Sequence, residues 1–105
     1  STHGYAELCR AKQFRPSYIA LGHVFATQTK MMPSKPQGLD RLRRYQRLAG
    51  EIPTVAIGGI SQARFADVVG TGVSGVAVVS AITCAADPLA AVNRLKETYA
   101  RVNQR

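Results

Sequence analysis

The sequence has 105 residues, 46% of them hydrophobic, enough for one domain and unlike either a disordered chain or a membrane-spanning one. Fourteen Lys and Arg against six Asp and Glu give a net charge of +8 and a pI near 10.2, which brings anionic partners into view, whether nucleic acid or phosphorylated compounds. The two cysteines, Cys9 and Cys84, have no CxxC spacing and no histidines at ligand spacing. That excludes a zinc motif and a disulfide framework, and both read as buried thiols of a reducing cytosol.

In chain order, Ser1 to Phe14 reads as a helix, with Tyr5, Leu8 and Cys9 at helical spacing and Thr2 as its N-cap, stopped by Arg15-Pro16-Ser17. Tyr18 to Gly22 is a short apolar run suited to a buried parallel strand, and it delivers a loop from His23 to Gly38 in which Pro33 and Pro36 forbid a helix. Leu39, Leu42, Tyr45 and Leu48 then recur at near-helical spacing until Gly50. A strand, T-V-A-I, follows Pro53 and ends in Gly58-Gly59. Ser61 caps a short helix with Phe65, Val68 and Val69 on its buried face, closed by Gly70 and Gly72. The strand G-V-A-V-V from Gly75 ends at Ser80, and Asp87-Pro88 opens a last helix running to about Asn103, with Leu89, Val92, Leu95, Tyr99 and Val102 as its apolar stripe.

Regular alternation of helix and strand implies right-handed parallel βα units, in a doubly wound sheet or in part of a (β/α)8 barrel. A complete barrel needs about 250 residues, so three strands are expected to be the C-terminal half of one, with residues 1–105 forming the C-terminal part of the barrel domain. Ser1, with no initiator methionine or apolar leader before it, reads as the inside of a longer chain.

Ligands of parallel α/β folds sit at the C-terminal ends of the strands. Gly58-Gly59 before a helix start, joined by Val79-Ser80 after the next strand, suits an anion bound by main-chain N–H groups. Thr27, Thr29 and Lys30 add two hydroxyls and a cation in one loop, suited to an oxygen-rich anionic ligand. His23 is a possible acid or base, but no carboxylate partner is in sight. Arg41, Arg43, Arg44 and Arg47 cluster on one helix without interleaved aromatics, which reads as a solvated face and not as a nucleic-acid platform.

These residues resemble the thiamine-phosphate synthase family: S-T-H at Ser1, Y-I-A-L-G-H-V-F-A-T-Q-T-K from Tyr18, P-Q-G-L from Pro36, P-T-V-A-I-G-G-I from Pro53 and G-V-A-V-V-S-A-I from Gly75. The resemblance covers almost the whole chain in order. It implies a TIM barrel that couples 4-amino-2-methyl-5-(diphosphooxymethyl)pyrimidine to a thiazole phosphate, releasing pyrophosphate with Mg²⁺, in the cytoplasm. By position it implies that Thr27, Gln28 and Thr29, with Gly59, Val79 and Ser80, bind the thiazole phosphate. It also implies that Ser1 and Lys30 bind the pyrimidine diphosphate, Lys30 being the catalytic candidate. The metal ligands are expected in an N-terminal half outside these residues, so the fragment alone is expected to be inactive. Its expected partners are small phosphorylated substrates and that missing half, not nucleic acid and not a membrane. Ala26 stands where the family commonly has proline. Two alternatives accompany this reading: a thiazole tautomerase or related regulator on the same fold, for which His23 is the relevant residue, and a basic nucleic-acid-binding module.

Overall fold

The computed structural model of the chain describes residues 2–25 and 37–103. Its elements run α1 (Tyr5–Gln13), β1 (Ile19–Leu21), α2 (Gly38–Ala49), β2 (Thr54–Ile57), α3 (Gln62–Val69), β3 (Gly75–Ala77), α4 (Ser80–Thr83) and α5 (Pro88–Val102). The strands form one parallel sheet in the order β1-β2-β3, with Ile19, Ala20 and Leu21 opposite Thr54, Val55 and Ala56, and the last two of these opposite Gly75 and Val76. Neighbours in space are therefore neighbours in sequence. Short parallel strands joined through helices can adopt this order only if each crossover returns on the same side, because such crossovers share one hand.

Side chains alternate across a strand, so Ile19, Leu21, Thr54 and Ala56, all buried, share one face of the sheet. That face belongs to a core that also holds Leu8 of α1, Leu42 of α2, Phe65, Val68 and Val69 of α3, and Leu95 of α5. The helices thus cover one side. The other face carries Ala20, Val55, Gly75 and Ala77, only half-buried, and Ile57, which is 40% exposed. A further parallel pairing extends the sheet beyond β1: Thr2 bridges to Leu21, its N–H donates to the Ala20 carbonyl at 2.8 Å, and its hydroxyl reaches the same oxygen at 3.1 Å.

Several expectations meet their elements closely. Asp87 caps α5, its carboxylate accepting from the Ala90 N–H at 3.2 Å, and Pro88 occupies the first turn. Gly50 closes α2 at φ 66, and Phe65, Val68 and Val69 are the buried residues of α3. Others need correction. Thr2 does not cap α1, because its backbone and hydroxyl are committed to the sheet, and Gly4 takes the cap position. Cys9 and Cys84 are both exposed, not buried: α1 buries Leu8 alone, a stripe too narrow to reach Cys9, and α4 buries nothing. Tyr5 and Leu89 are likewise exposed, at 59% and 71%. The strand from Gly75 leaves the ladder after Ala77, since Val79 is already the residue from which α4 turns. An apolar cavity of about 470 Å³ opens on the helix side of β3, among Phe65, Val76, Val78, Ile82, Leu95 and Tyr99.

Candidate functional site

Of the residues singled out in the sequence, Gly58, Gly59, Val79 and Ser80 fall at the C-terminal rim of the sheet, whose best-defined part is where β1 and β2 end. Beyond Leu21 the chain stays in register with β2 through main-chain bonds: the Val24 N–H donates to the Ile57 carbonyl at 3.0 Å and the Phe25 N–H to the Gly58 carbonyl at 3.1 Å. When the chain returns at the start of α2, the Gln37 N–H donates to the His23 carbonyl and the Gly38 N–H to the Val24 carbonyl, each at 2.8 Å. Phe25 is thereby held to the end of β2, and Gln37 and Gly38 to the residues that follow β1. The Gln37 side chain adds a bond to the His3 carbonyl at 2.9 Å and receives the Tyr45 hydroxyl at 3.3 Å.

The glycines of this rim have a mainly steric explanation. Gly58 sits at φ 108, and a Cβ there would lie 2.4 Å from the His23 Cβ and 2.7 Å from its Cα. A Cβ at Gly22 would meet the Ile57 carbonyl oxygen at 2.6 Å. Backbone lies against backbone at both places, so no side chain fits. His23, pressed against Gly58, is 4% exposed, and among the described residues its Nδ1 has no hydrogen-bond partner.

Gly59, at φ 65, leads into α3, whose first turn holds no acidic residue. Ser61 occupies the cap position as expected from the sequence, yet its side chain makes no capping bond. One strand over, Ile57 stands opposite Ala77, so Gly58-Gly59 and Val78-Val79 leave adjoining strands at the same level. Val79 and Ser80 are exposed there, at the start of α4. Gly59, Val79 and Ser80 thus lie on neighbouring strand ends.

Ser1, Thr27, Gln28, Thr29 and Lys30, the other site residues expected from the sequence, lie outside the described residues, and so does Ala26. Two residues that the sequence reading passed over also meet at this rim. The Arg64 guanidinium lies 4.2 Å from the centroid of the Phe25 ring, and its Nη1 donates to the Gly59 carbonyl at 3.5 Å. The available signal was that Phe25 directly follows the apolar run and that Arg64 falls three residues after the capping serine, within the first turn of a helix. Among the described residues no three His, Cys, Asp or Glu gather as a metal site would require, so the described part of the chain does not fit a magnesium centre of its own. Arg41, Arg43, Arg44 and Arg47 of α2 are exposed, Arg43 being paired with Asp40 at 3.1 Å. No described helix is long and apolar enough to cross a membrane.

A parallel sheet with helices on one face, and with glycine and serine turns at adjoining C-terminal strand ends, defines an α/β protein of the βα-repeat class. Within that class the chain belongs to the thiamine monophosphate synthase family, whose family model matches residues 1–82. It is 62% identical over 87 residues to the thiamine-phosphate synthase of Proteus mirabilis, covering 83% of this chain and 40% of that one. Against the thiamine-phosphate synthase of Escherichia coli K12 it is 59% identical over 97 residues, covering 92% of this chain and 46% of that one. The chain therefore spans less than half the length of these curated relatives. Among solved structures it is similar to the thiamine phosphate pyrophosphorylase of Pyrococcus furiosus, with TM-score 0.82 and 33% identity over 95% of this chain and 48% of that chain. A thiamine phosphate pyrophosphorylase from Bacteroides thetaiotaomicron, at 18% identity and TM-score 0.57, shares the fold.

Proposed function

We propose that residues 1–105 form the C-terminal part of a (β/α)8 barrel that makes thiamine phosphate in the cytoplasm. The observation that carries this reading is the family match, supported by the adjoining strand ends after which Gly59, Val79 and Ser80 follow. Strands in sequence order, helices on one face and a fourth strand position at Thr2 support the barrel, since a doubly wound sheet would reverse its order and place helices on both faces. The half-open second face of the sheet is then the barrel interior, completed by an N-terminal half.

The substrates of the proposed reaction are 4-amino-2-methyl-5-(diphosphooxymethyl)pyrimidine and a thiazole phosphate. The bond between the pyrimidine methylene and the diphosphate oxygen breaks, its electron pair leaving with pyrophosphate. The thiazole nitrogen then gives its lone pair to the methylene carbon. No proton moves in forming that bond, so the protein's work is to position two anions and stabilise charge. Thr27, Gln28 and Thr29 hold the thiazole phosphate together with Gly59, Val79 and Ser80. Ser1 and Lys30 take the pyrimidine diphosphate, the Lys30 ammonium meeting the charge that accumulates on the leaving group. Magnesium, when bound, neutralises the diphosphate, and its ligands belong to the N-terminal half.

The test is thiamine phosphate formation by the full-length protein supplied with both substrates and Mg²⁺. Replacing Lys30 by alanine is expected to lower kcat about 100-fold, with the KM for thiazole phosphate within about twofold of wild type. A change confined to that KM would refute the role of Lys30, and an inactive wild type would refute the synthase reading.

A further inference from the structure

Arg64 occupies the first turn of α3, where the exposed helix N–H groups already concentrate positive charge and a cation is disfavoured. No acidic residue in that turn offsets it, and the Ser61 side chain does not cap the helix. The exposed guanidinium nonetheless has two contacts at the turn: its Cζ lies over the Phe25 ring, 4.2 Å from the centroid, and its Nη1 reaches the Gly59 carbonyl at 3.5 Å. Stacking on an aromatic occupies the face of the guanidinium and leaves the N–H groups along its edge able to donate. Phe25 is itself fixed, its N–H bonded to the Gly58 carbonyl. Two sources of positive charge thus converge on one glycine turn at a helix start. Behind that turn the buried His23 keeps an unpartnered Nδ1, a second sign that the polar complement of this rim is incomplete among the described residues.

We infer that Arg64 binds the phosphoryl group of the thiazole substrate at the Gly59 turn, with Phe25 as the platform that aims it. This rests on the synthase reading proposed above. The fork of a guanidinium donates to two phosphate oxygens at once and brings a full positive charge, which the neutral main-chain N–H groups of the turn lack. The thiazole phosphate is not the leaving group, so its charge is the same in ground and transition states. Contact with it is uniform binding, felt in KM and not in kcat.

The experiment is steady-state kinetics on the full-length protein carrying Arg64→Ala, Arg64→Lys or Phe25→Leu, with inorganic phosphate as a competitor of the thiazole phosphate. Arg64→Ala is expected to raise the KM for thiazole phosphate and the inhibition constant of inorganic phosphate about 10-fold each, while kcat and the KM for the pyrimidine diphosphate stay within about twofold. Arg64→Lys keeps the charge but loses the planar stack, and Phe25→Leu keeps the guanidinium but loses the platform, so each is expected at about threefold. An active Arg64→Ala protein with both constants unchanged overturns the assignment and leaves the synthase reading standing. A rise shared equally by the two substrates, or a loss in kcat alone, also overturns it. A wild type that forms no product overturns the synthase reading and this assignment with it.

Discussion

At the ends of β1 and β2 backbone is packed on backbone, with His23 buried, no space for a side chain at Gly22 or Gly58, and main-chain bonds tying residues 24 and 25 to 57 and 58. At the end of β3 the same rim is open: β3 is half-buried along its length, Val79 and Ser80 are exposed, and α4 buries no residue. The two regions belong to one sheet and face the same way, yet one is built by its own packing and the other leans on whatever lies beside it. A rim with this asymmetry can separate its tasks. Stability and geometry reside in the first two strand ends, and the third can present polar groups with little effect on the fold.

That contrast breaks most readily at Gly58. Alanine there would combine a positive φ with contacts of 2.4 Å to the His23 Cβ and 2.7 Å to its Cα, and urea unfolding of the full-length protein is expected to show a loss of about 3 kcal/mol or more. A loss below about 1 kcal/mol would mean that the rim yields there as easily as at β3. An intermediate effect is expected from Asp87→Ala, which removes the cap of α5, the helix packed on α3 and α4, and should cost about 1 kcal/mol in the same measurement. The smallest belongs to Ser80→Ala. At an exposed position with no packing to lose, stability should move by less than about 0.5 kcal/mol, whereas the KM for thiazole phosphate should rise by about threefold. A Ser80 variant that is markedly unstable would show the third strand end to be as tightly built as the others.

The sequence disclosed those features whose causes are local. Asp87-Pro88 announces a helix start because a capping oxygen and a proline act within one turn, and T-V-A-I announces β2 because four consecutive residues carry the pattern. Thr2 was misread because its partners, Ala20 and Leu21, lie far along the chain, and a threonine ahead of a helix looks the same whether it caps or pairs. Cys9 and Cys84 were read as buried from the habits of cysteine, when burial is decided by how wide a helix face meets the core. At the rim, Gly58-Gly59 was legible as a strand-end turn, but its reason was not: Gly58 is required chiefly by the close approach of His23. The pairing of Phe25 with Arg64 joins two elements and has no local signature.

The four main-chain bonds that hold residues 23–25 and 37–38 in place use no side chain of the segment they bracket. Peptide groups are the same in every residue, so these attachments are indifferent to what is written between them. Loop closure grows costlier only slowly with length, by about 0.6 kcal/mol per doubling. Segment 26–36 can therefore be rewritten or lengthened in evolution while its two ends stay where they are. Under the function proposed above, selection on ligand chemistry can act on that stretch of sequence almost separately from selection on the sheet.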